Sequence, residues 1–521
     1  MKYSKILAIT LASTITLTAC GTVQTGDRQS PNGSTPATDA VTINLSDSEI
    51  TVNGIRAETN TENNVYIGND IIYYEAGKDF TYGEGTESDA HTAESAAEHT
   101  VVHITQPGTY SISGTLSKGQ IAVDLGDDAE ENPDAVVTLI LNGTEITCEV
   151  APAIIFYNVY ECGSTDTETA SKDVDTSSAG ANVIIADGTQ NSINGSYVAR
   201  IYKPDSVVLN DTGTEVEDAK KLHKYDAAFY SKMSMNVNGE SENSGILTIN
   251  ADNEGLDSEL HLTINGGIIY INAGNDGINT NEDGISVTTI NGGELHIQVN
   301  GETGEGDGID SNGWLVINGG LVTSQACGFS ADSGIDSDMG IHINGGTVIA
   351  SGNMLDRISE SNQTYAVLNF SKFLGAGTYR LKNADTVVFE KEIDNSFTSL
   401  IISSPQLVEG DYTLWYNDTQ LVGATSENIG MMFGGGMSNF PTGEMPEGMT
   451  PPEGREEPPE GFDSEKMKPE GGMAPPPDDF RGGRVPGGDF SGNLPHESME
   501  VSEIFTIQSG ENYFRFIDTT K

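Results

Sequence analysis

The sequence predicts an all-β fold, and more specifically a right-handed parallel β-helix, from three observations. Asn-Gly-Gly occurs at 265–267, 291–293, 318–320 and 344–346, at intervals of 26, 27 and 26 residues. Each copy lies between two short runs rich in β-branched residues, and no neighbouring stretch has the period of an amphipathic helix. A fixed period without helical runs is typical of a solenoid whose coils are built from strands.

The Asn-Gly-Gly copies are expected at corners of the coil, because Asn and Gly tolerate the left-handed backbone that a sharp bend requires. Each coil would bury its apolar side chains on those of the next coil, so that stability comes from stacking. A solenoid of calcium-binding nonapeptides is the alternative, and GEGDGIDSN at 304–312 resembles one such repeat. The period near 26 residues and the lack of tandem nonapeptides favour the parallel β-helix.

The N-terminal sequence predicts export. An apolar run at 6–17 follows two lysines and is too short to span a bilayer as a mature helix, so we interpret residues 1–19 as a signal peptide. Leu-Thr-Ala-Cys at 17–20 resembles the bacterial lipobox, in which the cysteine receives the lipid and becomes the new N-terminus. We therefore expect a lipoprotein anchored through Cys20 on the extracellular face of the bacterial cell membrane.

Composition divides the rest of the chain. Apolar and polar residues alternate in the C-terminal region, as is typical of a small antiparallel β unit. Such a unit would cover the end of the solenoid. A stretch rich in Gly, Pro, Met and Glu cannot build a core and is expected to be a disordered insertion in that unit. The predicted segments are a flexible tether at 20–40, an N-terminal β segment at 41–100, the parallel β-helix at 101–356, the C-terminal β unit at 357–427, the insertion at 428–497 and returning strands at 498–521.

Charge and cysteine content limit the partners. The chain has 78 Asp and Glu residues and 25 Lys and Arg residues, a formal charge of −53. Because this charge repels nucleic acid and anionic membrane surfaces, we expect no nucleic-acid partner, membrane contact through the lipid alone, and a monomer. Cys148 and Cys162 are close enough in sequence to form a disulfide, with free thiols as the alternative, and no Cys/His spacing typical of zinc occurs.

A second pattern accompanies the corners and begins at Gly255, Gly277, Gly308 and Gly334. The residue after each glycine is apolar and predicted to face the core: Leu256, Ile278, Ile309 and Ile335. The residues two and four positions after each glycine are acids or amides: Asp257 and Glu259, Asn279 and Asn281, Asp310 and Asn312, and Asp336 and Asp338. Because alternate side chains of a strand share a face, these acids and amides are expected together on one outer wall.

An aligned row of acids predicts bound calcium. Two carboxylates about 5 Å apart repel by roughly 0.8 kcal/mol in water and by about 3 kcal/mol at an effective dielectric constant of about 20. No Lys or Arg occurs between Lys232 and Arg357 to relieve this repulsion. Ca²⁺ accepts carboxylate and amide oxygens in a flexible geometry, whereas Mg²⁺ requires a near-ideal octahedron. The predicted ligands are Asp252, Asp257, Glu259, Asp276, Asn279, Asp283, Asp307, Asp310, Asp336 and Asp338; the alternative is a set of solvated acids kept apart by side-chain flexibility.

Several segments resemble the parallel β-helix carbohydrate-binding domain of clostridial surface lipoproteins, a family similar in fold to family 9 pectate lyases. They are GTYSISGTLSKGQIAVD at 108–124, AAFYSK at 227–232 and ILTINADNEGLDSELHLTINGG at 246–267. The resemblance implies calcium-dependent, non-catalytic binding of plant cell-wall polysaccharide, including acidic pectin or polygalacturonate, and cellulose. Tyr230, Trp314 and Phe329 are the aromatic residues expected to stack on sugar rings, with a place in the core as the alternative.

Two other functions remain open. A pectate lyase would need a basic side chain to remove a proton next to the uronate carboxyl group, and Lys232 takes the position four residues after Ala228 in the same repeat pattern. We favour an ion pair of Lys232 with Glu259 or Asp257, since no arginine accompanies Lys232 to hold the substrate. The other alternative is a surface adhesion or scaffold protein without a glycan ligand.

Overall fold

A computed structural model describes residues 40–426 and 502–516. The all-β prediction is confirmed, since these residues contain strands, one short α-helix at Ala93–Ala97 and one 3₁₀ turn at Pro204–Ser206. No helix within these two ranges is long and apolar enough to cross a membrane. The signal peptide, Cys20 and the insertion at 428–497 lie outside the described residues.

Most strands belong to three parallel stacks. The first stack contains the start of Val137–Cys148, then Ala181–Ile185, Met235–Gly239, His261–Ile264, Val287–Ile290, Trp314–Ile317, Gly340–Ile343 and Ile358–Ser361. The second stack contains the end of Val137–Cys148, then Gln190–Gly195, Ile246–Ala251, Ile268–Ala273, Glu294–Val299, Leu321–Gln325 and Thr347–Gly352. The third stack contains Thr100–Ile104, Gly119–Asp124, Ile154–Asn158, Ala227–Ser231, Glu254–Ser258, Ile278–Thr280 and Ile309–Ser311.

Shorter elements extend these stacks at the N-terminal end and along the side. The parallel strands Val41–Leu45 and Gly108–Leu116 precede Val137–Cys148 in the same sheet. The remaining elements are the antiparallel strands Thr51–Val52 and Ile55–Arg56, the edge strand Val65–Gly68 on the third stack, and two ribbons that pair Val198–Tyr202 with Lys221–Tyr225 and Val208–Leu209 with Val216–Asp218. Cys148 and Cys162 are free thiols, so the disulfide alternative is not realised.

The C-terminal strands are mainly antiparallel. A five-stranded sheet contains Gly377–Asn383, Thr386–Ile393, Gly410–Tyr416, Thr419–Leu421 and Phe505–Ile507. The strands Tyr365–Leu374, Phe397–Ser403, Ala424–Ser426 and Glu511–Phe516 extend the sheet that holds the first two stacks. Both strands after residue 501 therefore pair with strands before residue 427.

The repeats place equivalent residues side by side. Leu256, Ile278 and Ile309 are paired on successive strands and are fully buried, as the alternation predicts. Each Asn-Gly-Gly joins a first-stack strand to a second-stack strand, and its second glycine has a φ of 81° to 89°. A Cβ added at Gly293 would lie 2.6 Å from the carbonyl oxygen of Gly267, so this corner requires glycine for space as well as for conformation.

The corner asparagines form a continuous hydrogen-bonded row, which we call the amide ladder. From Asn265 onward, each Nδ2 group donates to the Oδ1 atom of the asparagine one repeat earlier, over distances of 2.8 to 2.9 Å. The ladder consists of Asn238, Asn265, Asn291, Asn318, Asn344 and Asn362. Stacking in register therefore satisfies polar side chains on the outer surface as well as apolar side chains in the core.

Removing a core side chain between two repeats should destabilise the protein strongly. Ile271 is buried and paired between Ile249 and Ile297. We expect Ile271→Ala to lower the free energy of unfolding by about 2–5 kcal/mol, because the cavity stays between stacked neighbours. Tyr270→Phe is the control on the exposed face of the same strand and should change it by less than about 0.5 kcal/mol. Urea unfolding measures the free energy of unfolding of both variants. Equal losses would contradict the assignment of Ile271 to the buried face and Tyr270 to the exposed face.

Candidate functional site

The outer face of the third stack carries the predicted row of acids and amides. Asp257, Asn279 and Asp310 are paired in register on three successive strands, and Tyr230 occupies the same row one strand earlier. Asp336 continues the row, since its backbone N–H donates to the carbonyl oxygen of Ile309 at 2.7 Å. These oxygen-bearing groups thus lie one above another, as the repeat spacing predicts.

These side chains point away from the core, but they are not exposed to solvent. The accessible fraction is 0% for Asp257, 6% for Glu254 and 7% for Asn279. The alternative of solvated acids kept apart by side-chain flexibility therefore does not describe this part of the stack. A buried carboxylate loses its hydration, so each one here needs a compensating partner.

Three buried carboxylates converge next to this row. Asp226, Glu254 and Asp257 each offer an oxygen, and the three oxygens lie within 4.8 Å of one another. The nearby ammonium group belongs to Lys224, whose Nζ atom lies 2.6 Å from Oδ2 of Asp226. Three carboxylates beside one ammonium leave an excess of negative charge. We call Asp226, Glu254 and Asp257 the carboxylate cluster.

Amide side chains satisfy only part of the carboxylate cluster. Asn281 Nδ2 donates to both oxygens of Asp257, at 2.9 and 3.1 Å, and Asn279 Nδ2 donates to Oε1 of Glu254 at 3.3 Å. Glu254 Oε2 and Asn279 Oδ1 are buried without a hydrogen-bond partner among the described residues. Carboxylate and amide oxygens that converge without donors are the ligands that Ca²⁺ prefers, so these residues fit a calcium ion.

The electrostatic environment opposes ionisation in the carboxylate cluster. Burial raises the pKa of Glu254 well above its usual range, and the neighbouring Asp257 raises it further. Burial also raises the pKa of Asp257, with an added contribution from Glu259. The pKa of Asp226 is raised by burial as well, while Lys224 acts in the opposite direction. A divalent cation would remove this penalty by pairing with the charged forms.

A second group of acids follows along the same face. Burial is the main cause that raises the pKa of Asp276 to about 8, of Asp307 to about 9, of Asp310 to about 6 and of Asp336 to about 7, and nearby carboxylates add to each shift. The backbone N–H of Asp307 donates to Asp276 Oδ1 at 2.7 Å, and the N–H of Ser333 donates to Asp307 Oδ1. These acids therefore repel one another in a poorly hydrated space.

The other predicted metal ligands lie outside both groups. Asp252, Asp283 and Asp338 are exposed. Glu259 accepts a hydrogen bond from the Tyr230 hydroxyl, and its Oε1 atom lies 3.0 Å from Nζ of Lys221. The predicted ion pair of Lys232 with Glu259 or Asp257 is therefore wrong. Lys221 pairs with Glu259, Asn281 donates to Asp257, and Lys232 is exposed.

The three predicted sugar-stacking residues do not share a site. Tyr230 is buried, with its ring edge-on to Tyr225 at a centroid distance of 5.2 Å. Trp314 is half-buried and begins a strand of the first stack, not of the acidic third stack. Phe329 packs against the core, near Gly301. Of the three, only Tyr230 lines the cleft that adjoins the carboxylate cluster.

That cleft has a volume of about 750 Å³ and lies over the earlier strands of the third stack. Tyr66, His103 and Tyr157 line it from the stack, and the strand Lys221–Tyr225 also lines it. Tyr66 stacks on His103 at a centroid distance of 4.4 Å. Three lysines, Lys221, Lys224 and Lys232, line the cleft together with seven acids: Asp70, Asp124, Asp127, Glu130, Glu161, Glu259 and Glu282.

Lys224 connects the cleft to the carboxylate cluster. Its side chain lines the cleft, and its Nζ atom contacts Asp226. Sequence reasoning omitted Asp226, Glu254, Lys221 and Lys224 from the site. Glu254 precedes Gly255 as Asp276 and Asp307 precede their own glycines, so position alone could have identified it. Asp226 and Lys224 follow no repeat, and the strand Lys221–Tyr225 brings them to the site.

Comparison with known proteins adds the family. Residues 98–388, more than half of the chain, match the family described as carbohydrate-binding domain-containing protein. The chain belongs to this family. The carbohydrate-binding domain so defined contains both the carboxylate cluster and nearly all of the cleft.

A structure described as the polysaccharide lyase-like protein from C. thermocellum, a gadolinium derivative, is 18% identical to this chain. The match covers 62% of this chain and 93% of that chain, with a TM-score of 0.33. None of the curated proteins matches the chain.

The raised pKa values in the carbohydrate-binding domain predict a pH-dependent stability. Between the ordinary aspartate value of 3.8 and about 9, the folded state keeps the Asp307 proton that the unfolded state loses, so stability falls as pH rises through this window. We expect Asp307→Asn, measured in EDTA, to raise the melting temperature more at pH 8 than at pH 5. The exposed Asp283→Asn removes the same charge and should shift the melting temperature little at either pH. An Asp307→Asn effect equal at pH 5 and pH 8 would contradict this assignment.

Proposed function

We propose that this protein binds an acidic plant cell-wall polysaccharide of the pectin or polygalacturonate type, with calcium and without cleaving it. Carbohydrate binding follows from the family. The observation that carries the finer proposal is the contact of Lys224, which lines the cleft, with Asp226 of the carboxylate cluster. The proposed cation site would therefore adjoin the cleft.

The chemistry of the cleft suits a uronate polymer. Ammonium groups form charge-assisted hydrogen bonds with carboxylates, and the exposed Lys232 is available for one of them. Tyrosine rings such as those of Tyr66 and Tyr157 offer apolar faces to sugar rings. Because acids outnumber lysines by seven to three in the lining of the cleft, binding of a polyanion there would depend on bound calcium.

Calcium is proposed first at Asp226, Glu254 and Asp257, with Asn279 as an additional oxygen donor. The unpartnered oxygens of Glu254 and Asn279 support this placement. A bound calcium ion would neutralise the cluster and present remaining coordination positions to uronate carboxylates. The row of Asp276, Asp307, Asp310 and Asp336 is proposed to hold further calcium.

The shape and the cellular position of the protein are also proposals. We propose that the three stacks are the sides of a right-handed parallel β-helix. The chain visits the third, first and second stacks in that order in successive repeats, and parallel crossovers are nearly always right-handed. We further propose that a monomer is anchored by lipid at Cys20 on the extracellular face of the bacterial membrane, which the lipobox resemblance supports.

Calcium binding should depend on Glu254. We expect a calorimetric titration of the chelated protein with Ca²⁺ to release or absorb heat, and Ca²⁺ to raise the melting temperature, since a ligand of the folded state stabilises it. Glu254→Gln removes one carboxylate and should weaken binding by about tenfold or more. Glu294→Gln, an exposed change in the second stack, is the matched control and should bind like the wild type. No heat and no thermal shift with the wild-type protein would overturn the calcium proposal.

Binding of oligogalacturonate should depend on Lys232. In the presence of Ca²⁺, we expect Lys232→Ala to weaken binding by about tenfold, because a charged hydrogen bond to a uronate carboxylate is lost. Lys78→Ala is the control, since Lys78 pairs with Glu75 outside the cleft.

The same samples test the lyase alternative, in which Lys232 is the catalytic base. Absorbance of unsaturated products with the wild-type protein, lost in Lys232→Ala while affinity is unchanged, would replace the binding proposal with lysis. Binding without new absorbance supports the non-catalytic proposal.

A further inference from the structure

One ammonium group contacts the carboxylate cluster. Nζ of Lys224 lies 2.6 Å from Oδ2 of Asp226, and the side chain of Asp226 is 9% exposed. Oxygens of Asp226, Glu254 and Asp257 lie within 4.8 Å of one another, so this ammonium group lies close to the negative charge of all three. Lys224 therefore acts as the counter-ion of the cluster when no metal ion is bound.

Lys224 compensates the cluster only in part. Three carboxylates share this one positive charge, and the buried atoms Glu254 Oε2 and Asn279 Oδ1 have no hydrogen-bond partner among the described residues. Glu254 is 6% exposed and Asn279 is 7% exposed, so water does not replace those partners. Ca²⁺ brings two charges and accepts several oxygens, and it would compensate the cluster better than one ammonium group does.

The Lys224 side chain has a second environment within its reach. It is 42% exposed and lines the cleft as well as contacting Asp226. The ammonium group of a lysine sits on a flexible stem of four carbons, so rotation about side-chain bonds is enough to move it. Lys224 can therefore exchange a contact in the cluster for a contact in the cleft.

The backbone next to Lys224 is held in place during such an exchange. Tyr225 is buried, and its ring lies edge-on to Tyr157 at a centroid distance of 5.4 Å and to Tyr230 at 5.2 Å. The Tyr225 hydroxyl oxygen also lies 2.8 Å from Nδ1 of His223. Because these contacts fix the end of the strand on the third stack, a displaced ammonium group would remain at the cleft.

Calcium and the ammonium group compete for Asp226. Ca²⁺ binds carboxylate oxygens at about 2.3–2.6 Å, so an ion on Oδ2 of Asp226 would stand within roughly 5 Å of Nζ of Lys224. On the other oxygen, the two cations would still share one carboxylate in a poorly hydrated space, where like charges repel strongly. Calcium binding would therefore favour the release of Lys224 into the cleft.

The release would change how the cleft meets a polyanion. Of the three lysines in its lining, Lys221 pairs with Glu259 and Lys224 pairs with Asp226. The exposed Lys232 is the third. A released Lys224 would add a second ammonium group for charge-assisted hydrogen bonds with uronate carboxylates.

We propose that Lys224 couples the two proposed ligands: calcium displaces its ammonium group from Asp226, and the displaced group then binds a uronate carboxylate of the polysaccharide. This inference rests on the proposed function, since it requires calcium at the cluster and a uronate polymer in the cleft. Each ligand would strengthen the binding of the other by the same factor, as linkage requires.

The first measurement is a calorimetric titration of the chelated full chain with Ca²⁺. We expect Lys224→Met to bind Ca²⁺ about fivefold or more tightly than the wild type, because the competing ammonium group is gone. Lys224→Arg should bind about fivefold more weakly, since a guanidinium group holds a carboxylate through two hydrogen bonds. Lys221→Met removes the same charge from the same strand, where it pairs with Glu259, and should stay within about twofold of the wild type.

The second measurement tests the release into the cleft. With saturating Ca²⁺, we expect Lys224→Met to bind oligogalacturonate about tenfold more weakly than the wild type, because one charged hydrogen bond is lost. A crystal structure of the wild type with Ca²⁺ should show Nζ of Lys224 more than about 4 Å from both carboxylate oxygens of Asp226. This structure requires no variant, so it decides the question even if Lys224→Met does not fold.

The outcomes separate this inference from the proposed function. No heat from Ca²⁺, or no binding of oligogalacturonate, with the wild type overturns both. If the wild type binds both ligands, three results overturn the inference alone: Lys224 keeps its contact with Asp226 in the calcium-bound structure, folded Lys224→Met binds Ca²⁺ no more tightly than Lys221→Met, or folded Lys224→Met binds oligogalacturonate as tightly as the wild type. Circular dichroism and melting temperatures establish that each variant is folded before it is titrated.

Discussion

In-register parallel pairing is the constraint on which the rest of the molecule depends. It places each side chain against its counterpart in the next repeat, and the consequence depends on what that side chain is. Isoleucine against isoleucine makes the core, as at Ile249, Ile271 and Ile297. Asparagine against asparagine makes a hydrogen-bonded ladder, since an amide is both donor and acceptor. Aspartates on neighbouring strands form neither a core nor a hydrogen-bonded ladder. The third stack therefore needs donor groups or cations that the repeat itself does not provide.

The third stack provides partners for its carboxylates in different ways along its length. Amides are interleaved with acids, so that Asn281 donates to Asp257 and Asn279 to Glu254. The strand Lys221–Tyr225, which follows no repeat, brings lysines to Asp226 and Glu259. Within the described part of the chain, buried oxygens of Glu254 and Asn279 still lack hydrogen-bond partners, and this shortage motivates the calcium proposal. The calcium site that we propose thus lies where stacking leaves polar groups without a full set of hydrogen-bond partners.

The sequence was informative wherever repetition carried the signal. The glycine corners, the buried Leu256 and Ile278 and the alignment of Asp257 with Asp310 follow from period and alternation, and the structure contains each of them. Burial of Asp257 could not be predicted, because the covering contacts come from residues distant in sequence. Trp314 does not share the acidic face, since the third-stack strand ends at Ser311 and the chain bends before Trp314 begins a strand of another stack. Facing rules apply within a strand and do not extend across a corner.

The pairing of the last strands with earlier ones has a separate consequence for the integrity of the chain. Glu511–Phe516 lies between Tyr365–Leu374 and Ala424–Ser426, with Phe514 and Phe516 buried. The ends that border residues 427–501 are therefore secured independently of the covalent link between them. A peptide bond cut within that link would leave two fragments associated through β-pairing and buried phenylalanines.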